Sequence, residues 1–219
     1  MERQSEPAPS RTRELWFSRR ALVRIPQVLA GIVLLGVGVA LMAQGNLGLG
    51  PWAVLAEGIG KKAGIALGTA SILVGLVVLT TWFSVGERPG IATVLNVSGV
   101  GLVINTAIEV IPEPDLLWGR LAMTVGGVLA VGTGIALYLA ADLGPGPRDG
   151  LTTGLHRRFG WTIRRIRTAI EVMVLVAGFL LGGTVGVGTV LMAFGVGAVM
   201  QAGLSVFDRE GRVMQRATA

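Results

Sequence analysis

The sequence has no cysteine and a single histidine, His156, among its 219 residues. Disulfides, thiol chemistry and Cys/His zinc sites are thereby excluded. Charge is also scarce: Asp, Glu, Lys and Arg make up 15% of the chain, against about 25% in an ordinary soluble domain. Aromatic residues stand at only 5%, and the basic residues lie between long apolar runs. A nucleic-acid binder pairs basic patches with stacking rings, so that class is not supported. What the chain has in excess is apolar and small residues: 52% are hydrophobic and 34 are glycine. A mean hydropathy of +0.68 is that of an integral membrane protein, whose first partner is the lipid bilayer.

Runs of about 20 apolar residues, the length that crosses a bilayer, occur six times, at 26–45, 65–85, 91–110, 121–141, 166–184 and 187–206. With the N-terminus in the cytoplasm, sixteen of the 19 basic residues fall on the inside, and Lys61, Lys62 and Arg120 remain outside. An excess of arginine on the cytoplasmic side is the ordinary bias of membrane proteins, so six spans with both termini cytoplasmic are expected. Ser18-Arg19-Arg20 before an apolar run looks like a twin-arginine export signal. The segment has an internal counterpart, however, which makes it a permanent helix. Residues 1–23 and 208–219 read as cytoplasmic tails, the first polar enough to be disordered.

Shifted by 96 residues, the chain meets itself without a gap. Gly31, Gly36, Gly38, Ala40 and Leu41 fall on Gly127, Gly132, Gly134, Ala136 and Leu137. Leu47-Gly48-Leu49-Gly50-Pro51 falls on Leu143-Gly144-Pro145-Gly146-Pro147, and Thr93-Val94-Leu95 on Thr189-Val190-Leu191. Over 24–109 against 120–205 roughly three positions in ten are identical. The repeats, 24–111 and 120–207, hold three spans each. An odd number of spans forces the second copy to cross in the opposite sense, an arrangement common in secondary transporters. The expected fold is an all-α membrane protein of six transmembrane helices in two inverted-topology three-helix repeats. Each repeat carries a short broken or interfacial helix after its Leu-Gly-x-Gly-Pro loop.

Those short helices are expected at 51–62 and 147–159, where Pro starts a helix after a glycine-rich turn. Backbone N–H groups and a positive dipole end at such a start suit a carboxylate or another anion. The bland alternative is a tight loop with an interfacial helix. Candidate binding residues on the loops are Asn46, Gly48, Gly50, Trp52 and Glu57 in the first copy. In the second they are Asp142, Gly144, Gly146, Arg148 and Asp149. Ionisable and amide side chains inside spans are costly and point to function; they add Asn105, Arg167 and Glu171, the last two an i, i+4 pair. The glycine stripes are more simply explained by helix packing. No nucleophile–base grouping and no metal-ligand spacing occurs, so neither an enzyme nor a cofactor is expected.

Three strings carry a resemblance to a known family: Arg88-Pro89-Gly90-Ile91-Ala92-Thr93-Val94-Leu95-Asn96, Leu143-Gly-Pro-Gly-Pro-Arg-Asp-Gly150-Leu151, and Arg167 with Glu171. Together with Leu47-Gly-Leu-Gly-Pro-Trp52 they resemble the bacterial YczE-type membrane proteins of the wider YczE/YyaS/YitT group, from about 24 to 205. Ala53 departs from the Asp that follows Pro-Trp in that pattern, and Ala92 from its Gly. The resemblance implies a multi-pass protein of the bacterial cytoplasmic membrane and says little about activity. Two functional readings follow. One is a transporter-like permease for a small metabolite, anionic or zwitterionic. The other is a non-transporting scaffold that holds a partner or anionic lipid at the basic segment 148–167.

Overall fold

The computed structural model describes residues 19–86 and 89–208, with side chains from Val23 onward. Most of both expected tails, and Arg88, lie outside the described residues. Within those residues the chain forms eight α-helices and no strand. In order they are α1 (Arg19–Gly45), α2 (Pro51–Ala63), α3 (Leu67–Val85), α4 (Ile91–Val110), α5 (Leu117–Ala140), α6 (Pro147–Phe159), α7 (Ile163–Leu180) and α8 (Val187–Phe207). Helix α1 begins at Arg19, so its start takes in residues that the sequence reading assigned to the tail.

Five of these helices, α1, α3, α4, α5 and α8, are long and apolar enough to cross a membrane. The remaining expected span, 166–184, appears as α7, which starts three residues earlier and stops at Leu180. Its 18 residues give about 27 Å of helix. Four of its residues, Arg164, Arg165, Arg167 and Glu171, are charged, which sets it apart from the other five. The chain leaves it through Gly182 at φ +95°.

The ends of the helices follow from local chemistry. Asn46 and Asp142 close α1 and α5 in the left-handed region, at φ +50° and +51°. Asn and Asp tolerate that region better than other side chains because their short polar groups bond locally. Gly48 and Gly144, at φ +109° and +124°, then reverse the chain, and Pro51 and Pro147 stand at the first position of α2 and α6.

Helices α1 and α5 form the central pair and run antiparallel. A Cβ on Gly31 would lie 2.8 Å from the Gly134 carbonyl oxygen, and one on Gly38 2.8 Å from that of Gly127. The backbones therefore touch where only glycine permits it. The two contacts exchange under the 96-residue shift, since Gly31 corresponds to Gly127 and Gly38 to Gly134. Gly36 against Val103 of α4 has its counterpart in Gly132 against Val199 of α8. Gly178 of α7 against Val54 and Leu55 of α2 has its counterpart in Trp82 of α3 against Gly150 of α6.

One pair breaks the correspondence. Helices α3 and α4 pack along each other, whereas their equivalents α7 and α8 barely meet. Gly68 faces Gly101 in the first pair, and Gly75 faces Val97. The residues matching Gly68, Ser71 and Gly75 are Arg164, Arg167 and Glu171. Long charged side chains cannot repeat a glycine contact, and the second pair stands apart.

Candidate functional site

Each glycine–proline loop is held by the opposite repeat. The Gly188 N–H donates to the Leu47 carbonyl at 2.7 Å, and the Leu49 N–H to the Thr184 carbonyl at 3.2 Å. In the other loop the Ala92 N–H donates to the Leu143 carbonyl at 3.2 Å. Thr93 fastens that loop: its hydroxyl donates to the Pro145 carbonyl at 2.7 Å and accepts from the Gly90 N–H at 3.1 Å. Thr189 accepts from the Gly186 N–H at 3.2 Å in the same way. Buried polar backbone is thus satisfied without regular structure, as a loop inside a membrane protein requires.

The starts of α2 and α6 converge. Gly45, at the end of α1, is level with Arg120 and Thr124 near the start of α5. At 1.5 Å per residue the far ends of the antiparallel pair are about 30 Å apart. The loops leave from those opposite ends. Yet the Arg148 guanidinium carbon lies 4.9 Å from the centroid of the Trp52 ring, a cation–π distance. Both loops therefore turn back between the long helices, and the two short helices begin in the interior.

Between them is a cavity of about 340 Å³ bordered by residues of all eight helices, within the usual range for ligand cavities. Its walls are mostly apolar, with Val39, Val100, Ile104 and Val131 among them. The charged end is built by α6 and α7. The Tyr138 hydroxyl donates to Asp149 Oδ2 at 2.9 Å, and Arg167 Nε lies 3.0 Å from Glu171 Oε1. Both carboxylates are thus engaged. Arg148 is exposed to the cavity and, among the described residues, its side chain makes no hydrogen bond or ion pair. Asp149 sits in the first turn of α6, where it compensates the helix dipole. The matching residue in α2 is Ala53, so the first turn of α2 has no acid. The charges at the cavity end balance in number, Arg148 and Arg167 against Asp149 and Glu171, and Arg148 is the one of the four not held by a hydrogen bond or ion pair among the described residues.

Seven of the residues expected to bind line the cavity: Gly50, Trp52, Gly146, Arg148, Asp149, Arg167 and Glu171. The others lie elsewhere. Asn46, Gly48, Asp142 and Gly144 shape the loops. Asn105 lies between α3 and α4, where its Oδ1 accepts from the Gly68 N–H at 2.8 Å and its Nδ2 donates to Thr69 Oγ1 at 3.1 Å. It supplies a cap to α3, whose own N-cap residue Ala66 has none. Glu57 accepts from the Thr184 N–H at 2.6 Å and pairs with Lys61 Nζ at 2.8 Å, which ties α2 to the turn before α8. Residues missed as site components are Tyr138, Asn96 and Met192, which also border the cavity. The only sequence signal for Asn96 and Met192 was that they break the repeat. Near the basic segment, Arg158 donates to the Ser84 carbonyl at 2.7 Å at the end of α3.

These features define a helical membrane protein built around an internal cavity with a mostly apolar wall and a charged end. Residues 22–204 match a family described as a family of unknown function, DUF6198, and the chain belongs to that family. It is 36% identical over 195 residues to an uncharacterized protein of Haemophilus influenzae, covering 89% of this chain and 88% of the other. It is 31% identical to the uncharacterized membrane protein YczE of Bacillus subtilis, over 78% of this chain and 81% of that one. It is 25% identical to the uncharacterized protein YyaS of the same organism, over 82% and 91%. The YczE-type resemblance seen in the sequence holds. No solved structure matches.

Proposed function

We propose that the protein crosses the bacterial cytoplasmic membrane six times as two inverted three-helix halves, with both termini in the cytoplasm. In this reading it is a permease for a small anionic or zwitterionic metabolite rather than an enzyme. The observation that carries this reading is the meeting of the two Gly-Pro loops at one cavity, with Arg148 over Trp52. Broken helices whose N-termini face a shared site near the midplane are how many secondary transporters hold a charged substrate. The exchange of contacts between α1 and α5 under the 96-residue shift supports the pseudo-two-fold arrangement. Helix α7 is the sixth span, its arginines at the cytoplasmic end and Glu171 neutralised by Arg167 one turn away.

Arg148 is the residue on which the substrate anion is held, Trp52 orients its guanidinium, and Asp149 positions the start of α6 through Tyr138. The test is uptake of labelled small anions into proteoliposomes. Arg148→Ala should reduce the uptake rate at least tenfold while the protein still inserts and purifies as a single species. Uptake equal to that of the unaltered protein would remove Arg148 from the site. Absence of uptake for every anion, with a protein or lipid co-purifying through 148–167, would favour the scaffold instead.

A further inference from the structure

We infer that the cavity is entered sideways from the bilayer, between α7 and α8, and that its ligand is a single-chain amphiphile with an anionic head. This rests on the reading of the cavity as a binding site and names the substrate class.

The side opening follows from the one broken correspondence in the fold. Val97 and Gly101 of α4 are buried against α3, while the equivalent Ala193 and Gly197 of α8 are exposed. A Cβ on Gly101 would meet the Gly68 carbonyl and the Ile72 side chain; one on Gly197 would meet nothing within 4 Å. Ala193 and Gly197 nevertheless border the cavity. The gap therefore leads from the lipid-facing surface into the interior. It is fixed by sequence: Arg164, Arg167 and Glu171 replace Gly68, Ser71 and Gly75, so α7 cannot close on α8 as α3 closes on α4.

The chemistry of the ligand follows from what lies along this path. Phe179 and Leu180 on α7, and Val190 and Phe194 on α8, are exposed and apolar, as in a surface that meets acyl chains. Arg164 and Arg165 are exposed on the first turn of α7, where basic side chains attract anionic head groups. Inside, the cavity is mostly apolar along α1, α4 and α5, with Asn96 and Tyr138 as the polar exceptions, and at its end Arg148 is the cation whose side chain makes no hydrogen bond or ion pair among the described residues. At about 340 Å³ it is near the lower limit of ligand cavities, a size for one chain rather than two. A small hydrophilic anion would use Arg148 but leave the apolar wall unfilled. An uncharged lipid would fill the wall and leave Arg148 unanswered.

The test uses the full chain in phosphatidylcholine nanodiscs, with chain-brominated dodecanoate as the probe and quenching of tryptophan fluorescence as the signal. Quenching should saturate, and the saturable part should vanish in Trp52→Phe. Unlabelled dodecanoate should compete at least tenfold better than butanoate. Arg148→Gln should weaken binding at least tenfold, and Gly197→Leu should slow dodecanoate entry at least tenfold without slowing butanoate. Quenching that rises linearly and equally in Arg148→Gln is simple partitioning and overturns the inference. So does equal competition by butanoate, unchanged entry in Gly197→Leu, or a dimer in which α7 and α8 are covered by a second copy. If hydrophilic anions are taken up but dodecanoate does not bind, the amphiphile falls and the permease stands. If dodecanoate binds saturably and nothing is transported, the permease falls and the site stands.

Discussion

Thr93 shows how much of this fold depends on single polar atoms in an apolar setting. Its hydroxyl joins the Gly90 N–H to the Pro145 carbonyl, so it binds the start of α4 to the loop before α6 across the repeat boundary. Water is not available to replace such a partner, and a buried group left unsatisfied costs about 1–3 kcal/mol. Thr93→Val keeps the shape and removes both bonds. It should lower stability by about 2 kcal/mol, read as a fall in the thermal midpoint of the detergent-solubilised protein. Thr189→Val removes the single bond to Gly186 and should cost about half as much. A larger loss at Thr189 than at Thr93 would contradict this account. The Gly-x-x-Thr string was visible in the sequence as a repeat. Its purpose was not, because the carbonyl it binds lies 52 residues away.

The helix ends were the most legible elements. Gly-x-Gly-Pro specifies a reversed chain followed by a helix start, and α2 and α6 begin at the two prolines as the strings require. Arg167 and Glu171 were legible as a pair because four residues bring side chains together on any helix. The convergence of Trp52 and Arg148 was not legible: it depends on two loops returning from opposite ends of α1 and α5. Polar side chains inside helices were only half legible. Their cost in lipid marks Asn105 and Glu57 as engaged, but the sequence does not say whether the partner is a ligand or a neighbouring backbone. In the structure Asn105 caps α3. A lost cap costs about 1 kcal/mol, so Asn105→Ala should speed hydrogen exchange at the first turn of α3 roughly fivefold while leaving α7 unchanged. Exchange that stays at the level of the unaltered protein would return Asn105 to the pool of candidate ligand groups.

At the scale of the whole molecule, the contacts that recur under the 96-residue shift build the frame, and the one contact that fails to recur is that between α7 and α8. The glycines along α1 and α5 keep their spacing in both copies because each backbone contact appears twice. The α3–α4 contact appears once, because Arg164, Arg167 and Glu171 stand in α7 where α3 has Gly68, Ser71 and Gly75. Two mechanisms predict different behaviour there. If the halves exchange conformations, α7 and α8 come together whenever α3 and α4 separate. If the charges hold the gap open, the asymmetry is permanent. The cysteine-free chain allows a direct test. A Cβ on Gly75 would lie 3.7 Å from the Val97 Cβ, within the roughly 3.5–4.5 Å that a disulfide spans. Gly75→Cys with Val97→Cys should therefore oxidise readily and nearly to completion. The equivalent pair, Glu171→Cys with Ala193→Cys, should remain reduced under the same oxidant, because α7 and α8 hardly touch. A non-reducing gel separates the outcomes by mobility, or mass spectrometry by the loss of two hydrogens. Cross-linking of the second pair at a rate similar to the first would show that the halves interchange. The opening between α7 and α8 would then be one state of a cycle rather than a fixed side entrance.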